Sequence, residues 1–322
     1  MDELKNKRIY KVISLFIKSV ILIFSLYYIW DKLSHAPNLI VDFPYLFSGA
    51  NTLYIIFIFL LMFVNWGLEA LKWKLLIKPL EPITFISSFR AVFAGVSLSI
   101  FTPNRVGEFV GRVFFLQKAD RIQATVASLV GSMMQLAITI IAGILAYFIL
   151  EDKYHDYFQT EQFVSTRSVL LFLLCFALII AIIFIVFKLK DHQVPVLKKY
   201  RDVFKMYSRD QLNQIFYLSV IRYIVFSVQY YLALKIFGIT GGITILFSLI
   251  ALTFFVTSAI PTFALTEIAV RAGVAIYFFE TICHAHALVV ASSLFLWIIN
   301  LALPALIGSV FAWKINFIKV KE

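Results

Sequence analysis

Thr102-Pro103-Asn104-Arg105-Val106-Gly107-Glu108, followed by Arg112, and Ile260-Pro261, followed by Glu267 and Arg271, are the two stretches that decide how this chain folds. Each sets a proline, then a glutamate, then an arginine four residues further on, between long apolar runs. Glu and Arg four apart share one helix face. An ionisable side chain at membrane depth costs roughly 2.5–3.5 kcal/mol or more, so it turns to a protein interior or a watery cavity. Two such sites in corresponding places of two halves point to a binding site between repeats.

The surroundings are those of a membrane protein. Of 322 residues, 61% are hydrophobic and 15% charged, so little polar surface remains for a soluble fold. The mean hydropathy of +0.91 agrees. Several apolar runs reach the length of about 18 residues that reads as a transmembrane helix. The longest polar stretch, 188–214, is too short to fold alone, and no fused soluble catalytic domain is expected. The net charge of +11 sits in a few loops, which is the pattern of cytoplasmic loops rather than of nucleic-acid binding. Cys175 lies in an apolar run and Cys283 near a segment end, and no disulfide is expected.

Spans are expected at about 12–30, 51–76, 124–150, 168–187, 212–234 and 288–313. The first is a retained span rather than a signal peptide, because its apolar run exceeds the usual 7–15 residues. Two paired-arm hairpins fill the gaps. One runs 83–101, turns at Thr102-Pro103 with Thr102 as N-cap and Pro103 at the first helical position, and returns to about Leu116. The other runs 243–258, turns at Pro261 and returns to about Phe279. The arms are long enough to leave the depth of the turns open. The positive-inside rule gives one consistent orientation, with both termini and the basic loop 188–211 cytoplasmic. The fold class is therefore all-α: six spans plus two hairpins, eight apolar helical regions in one membrane domain, with inverted repeats over 51–150 and 212–313.

Candidate substrate-binding residues follow. Arginines and helix N-termini suit a phosphate oxygen, so Arg105, Arg112 and Arg271 read as anion ligands. Glu108 and Glu267 would neutralise them in an empty site or carry a coupling proton. The competing reading is a pair of Glu–Arg bridges that only hold the broken helices together. On the second span, Asn65, Glu69, Lys72 and Trp73 follow i, i+4, i+7, i+8 spacing. Asn65 and Glu69 lie deep enough to meet the first hairpin, whereas Lys72 and the tryptophans read as interfacial anchors. Arg222, Gln229 and Asn300 read as interhelical hydrogen-bonders. His284 and His286 flank Cys283 in what reads as an exposed loop; no metal site and no cofactor is expected. No P-loop, GxGxxG, HExxH or Ser/His/Asp arrangement occurs, so no enzymatic activity is expected.

Asn65-Trp-x-x-Glu69-x-x-Lys-Trp73, Thr102-Pro103-x-Arg105-x-Gly107-Glu108 and Pro261 with Glu267 and Arg271 together resemble the transmembrane region of lysylphosphatidylglycerol synthases and its flippase-like relatives. Where that family's second motif has glycines before the glutamate, this chain has Phe263-Ala264-Leu265-Thr266. The resemblance covers roughly residues 10–315 and implies lipid translocation. The expected function is transport of an anionic lipid or polyprenyl-phosphate carrier across the cytoplasmic membrane, with phospholipid or lipid-linked phosphate as partner. The rivals are a non-transporting accessory subunit of a lipid-synthesis or glycosylation complex, and a membrane-embedded lipid phosphate enzyme, for which no nucleophile or metal set is found.

Overall fold

The computed structural model describes residues 49–153, 203–260 and 264–313, apart from 101, 103, 104 and 204, together with Phe16. The expected span at 12–30 apart from Phe16, the span at 168–187, the loop 188–202, Cys175 and the basic C-terminal tail lie outside the described residues. Nine α-helices form the described part: α1 Ala50–Ile77, α2 Phe85–Ser99, α3 Val106–Val113, α4 Arg121–Lys153, α5 Arg209–Ile236, α6 Ile243–Ala259, α7 Ala264–Phe279, α8 His286–Trp297 and α9 Leu303–Ala312. The described residues contain no strand. Four helical stretches, Asn51–Ile77, Arg121–Asp152, Arg209–Ile236 and His286–Ala312, are long and apolar enough to cross a bilayer.

Helix ends follow their local chemistry. Thr84 caps α2 by accepting the Ser87 N–H at 3.2 Å. Asp120 takes the N–H groups of Ile122 and Gln123, each at 3.0 Å, at the start of α4. Ser208 and Gln211 close a reciprocal capping box on α5. Just before it, the Tyr207 hydroxyl donates to the Leu76 carbonyl at 2.8 Å, tying α5 to the end of α1. Burial pushes the Tyr207 phenol up to about 12, so it remains a donor through the physiological range.

The first hairpin is shorter than its sequence implies. Its second arm, α3, ends at Val113 rather than near Leu116 and has eight residues. That is about 12 Å of helix, well short of a bilayer core of about 30 Å. The chain beyond it is drawn back by Glu81, whose carboxylate accepts from the N–H groups of Gln117, Lys118 and Ala119 at 2.7–3.0 Å. One carboxylate thus closes the base of the hairpin. The expected cap is also corrected. Thr102 is not the residue flanking α3; Arg105 is, in the left-handed conformation (φ 58°, ψ 27°). Thr102 Oγ1 still accepts a free helix N–H, that of Gly107, at 2.7 Å.

The two arms touch through glycines. Gly107 and Gly111 stand four apart on the α3 face toward α2, a small-xxx-small spacing that lets backbones approach. A Cβ on Gly107 would lie 2.5 Å from the Leu98 carbonyl oxygen, and one on Gly111 2.7 Å from the Gly95 Cα. Val106 and Val110 occupy the outer, exposed face. Gly111→Val is expected to force α3 off α2 and lower stability by about 1–3 kcal/mol, as overpacking does. Thermal unfolding in detergent reads this; an unchanged melting temperature would show that the close approach is dispensable.

The helices of residues 50–153 pack against those of residues 209–312. α1 packs on α5, α4 on α6, and α9 on α2. α1 also lies on α2, α5 on α6, α2 on α3 and α6 on α7. The last span is not a plain helix: a π-turn over Ile298–Ala302 separates α8 from α9. Pro304 explains it, because a proline donates no hydrogen bond to the carbonyl four residues back, here Asn300.

Candidate functional site

Glu69 is the centre of a buried ionic cluster. It follows Asn65 by one turn of α1, and Lys72 lies nearly a turn further on. The Glu69 carboxylate meets Lys72 Nζ at 2.7 Å, Arg112 Nη1 of α3 at 2.8 Å and Arg222 Nη1 of α5 at 2.9 Å. Glu69 is 4% exposed, and Lys72 and Arg112 are each 2% exposed, so bulk water does not screen these contacts. The other amino group of Arg112 is bound by Glu108, which also pairs with Arg105 at 3.5 Å.

Lys72 and the tryptophans are therefore not interfacial anchors. Trp66 and Trp73 are buried, and Trp73 Nε1 donates to Ser128 Oγ at 3.0 Å. The reason is that Glu69 gives Lys72 a partner inside the protein, which an interfacial lysine does not need. Of the two residues expected to face the first hairpin, Glu69 reaches it through Arg112. Asn65 turns instead to the second half: its Oδ1 accepts from Arg222 Nε at 2.9 Å and its Nδ2 donates to Asn300 Oδ1 at 3.2 Å. Gln229 Nε2 donates to the Ile58 carbonyl at 2.9 Å. Arg222, Asn300 and Gln229 all bond between helices.

Both proline-bearing stretches open onto one cavity of about 240 Å³. Arg105 reaches it from the first hairpin, Glu267 and Arg271 from the second, and Arg222 from α5. Arg271 holds Glu267 by Nη2 at 2.8 Å and by Nε at 3.0 Å. Arg105 lines the same cavity as Glu267. Glu69, Glu108 and Arg112 do not line the cavity and form the supporting layer behind Arg105 and Arg222. The first Glu–Arg couple is thus largely a buried bridge, while the second faces the cavity. In this network five cations (Lys72, Arg105, Arg112, Arg222, Arg271) face three carboxylates (Glu69, Glu108, Glu267), a surplus of positive charge.

Arg222 was the least legible of the cavity cations, being a lone arginine in an apolar segment. The Arg222 guanidinium also stands over the Trp66 ring, 5.4 Å from its centroid, which fixes its plane. Arg105 is the one non-glycine residue with positive φ among the described residues. A strained backbone of this kind costs of order 1–3 kcal/mol and concentrates at ligand sites. On the outer loop, Glu280 pairs with exposed His284 and His286, and no group of side chains suited to a metal ion occurs among the described residues.

A helical membrane protein with two broken-helix hairpins around a cationic cavity is the class that the fold and the site define. The chain belongs to the family described as the lysylphosphatidylglycerol synthase TM region, which it matches over residues 16–266. That match contains the first motif entire and stops one residue before Glu267. No curated protein and no solved structure matches the chain.

Proposed function

We propose that this protein is a flippase-like translocator of an anionic lipid, acting without enzymatic chemistry in the cytoplasmic membrane with both termini on the cytoplasmic side. The carrying observation is the single cavity that gathers Arg105, Arg222 and Arg271 from three elements of two halves. At about 240 Å³ it is smaller than the roughly 300–1,000 Å³ of sites that enclose whole drug-sized ligands. It suits a head group, with the acyl or polyprenyl tail left in the bilayer. The packing of α4 on α6 and α9 on α2 fits inverted repeats that rock against each other around the site. Glu267 is the group that would hold Arg271 when no phosphate is present.

The test is reconstitution into vesicles with fluorescent phosphatidylglycerol or labelled polyprenyl phosphate, following label that becomes accessible to an external quencher. The expected result is movement well above protein-free vesicles. Arg271→Gln is expected to slow it about 10–100-fold, the loss of a charged hydrogen bond to phosphate. Rates equal to empty vesicles for both lipids would end the reading. Copurification of a lipid-synthesis enzyme with an immobile lipid would favour an accessory role.

A further inference from the structure

The positive surplus is not spread evenly over the cavity arginines. Among the described residues, Arg271 has a carboxylate to itself, Glu267, at 2.8 Å. Arg105 and Arg222 have only shared ones. Arg105 pairs with Glu108 at 3.5 Å, and Glu108 is also bound by Arg112. Arg222 pairs with Glu69 at 2.9 Å, and Glu69 also serves Lys72 and Arg112. Four cations (Lys72, Arg105, Arg112, Arg222) thus stand on two carboxylates (Glu69, Glu108). Loss of the Lys72 proton would not balance them, because three guanidiniums remain and a guanidinium keeps its charge in proteins. The two turns add no acid, since residues 100–105 and 260–263 contain no Asp or Glu. Lys72 and Arg112 are buried and do not line the cavity, whereas Arg105 and Arg222 do and are partly exposed. The charge left over therefore faces the cavity through Arg105 and Arg222.

A charge at membrane depth without a counter-charge is costly. A lipid phosphate supplies the counter-charge while it is bound. A translocator must also return after releasing its lipid, and on that leg Arg105 and Arg222 need another anion. Glu267 cannot serve them, because Arg271 holds it by Nη2 at 2.8 Å and by Nε at 3.0 Å. The cavity of about 240 Å³ is several times the roughly 30 Å³ share of one water, so it admits an ion of the size of chloride or orthophosphate with part of its hydration. We propose that Arg105 and Arg222 take a small inorganic anion, chloride or orthophosphate, in exchange for the lipid phosphate. Lipid then moves one way as inorganic anion moves the other, and the guanidiniums are neutralised on both legs. This rests on the translocator reading above and assigns its counter-substrate.

The full chain is reconstituted into phosphatidylcholine vesicles with a trace of fluorescent phosphatidylglycerol or labelled polyprenyl phosphate, so that exchange against other anionic lipid is negligible. Both faces are bathed in chloride, orthophosphate or bulky lactobionate at one ionic strength. Translocation is expected to be about tenfold or more faster in chloride or orthophosphate than in lactobionate, the value of a charged hydrogen bond, and the faster salt names the ion. In detergent the same ion is expected to raise the melting temperature over lactobionate, because it binds the folded chain. Arg105→Gly is expected to need about 10–150-fold more ion for the same rise. Arg105→Lys keeps the charge and is expected to need less than the glycine variant, so the result does not hang on one substitution. Equal translocation in the three salts overturns the exchange while the translocator reading stands. A melting rise that Arg105→Gly shares in full is a solvent effect and overturns it as well. Movement of neither lipid in any salt overturns both.

Discussion

Glu69→Ala is expected to lower the stability of this protein by about 3–5 kcal/mol, the usual loss when one partner of a buried ionic contact is removed. Three cations converge on that carboxylate, from α1, α3 and α5. Among the described residues, Arg112 retains Glu108, Lys72 has no second carboxylate in an ion pair, and Arg222 keeps Asn65 and the Trp66 face. Glu69→Gln keeps the shape and removes the charge, so it is expected to lose most of the same stability. Adding Lys72→Met to Glu69→Gln removes one of the stranded cations, and the pair is expected to be more stable than Glu69→Gln alone. That non-additivity marks a direct interaction, of size about 0.5–3 kcal/mol. Thermal unfolding in detergent, run on the two single variants and the double, measures it. Additive effects, or a Glu69→Ala protein that melts with the parent, would show that the cluster does not hold the halves together.

The fold was legible because its signals are local and its solvent is lipid. Apolar length marks α1, α4 and α5, and Pro103 and Pro261 mark the broken helices. Charge at membrane depth marked both hairpins, and the structure brings Arg105, Glu267 and Arg271 to one cavity. The length of α3 was not legible. It is set by Glu81, 36 residues from the backbone it captures, and no periodicity reports such a contact. Lys72 was misread for a related reason. Trp and Lys at a helix end describe an interfacial anchor as well as a buried pair, and only the arrival of Arg112, 43 residues from Glu69, and of Arg222 decides between them. Two clues to the site were local: the Gly107-x-x-x-Gly111 spacing, which explains how close α3 lies to α2, and Pro304 four residues after Asn300, which explains the π-turn beside the cavity. The left-handed Arg105 had no such signal, since arginine is not a residue that seeks that conformation.

Arg105→Gly separates what this residue does for the fold from what it does for a ligand. Glycine adopts φ 58° without the steric penalty of a Cβ, so relief of backbone strain is expected to stabilise the turn by about 1–2 kcal/mol. The greater freedom of glycine in the unfolded chain offsets about 0.4–1 kcal/mol of that. Losing the 3.5 Å pair with Glu108 costs little, because Glu108 keeps Arg112. The melting temperature is therefore expected to stay level or rise slightly. Lipid binding and translocation are expected to fall roughly 10–150-fold, the value of a charge-assisted hydrogen bond to phosphate of about 1.5–3 kcal/mol. Arg105→Lys retains charge but loses the fork that grips two oxygens, so its translocation is expected to lie between the two. A glycine variant that melts with the parent and moves anionic lipid at the parent rate would remove Arg105 from the site. A variant that unfolds would instead make Arg105 a structural residue of the turn.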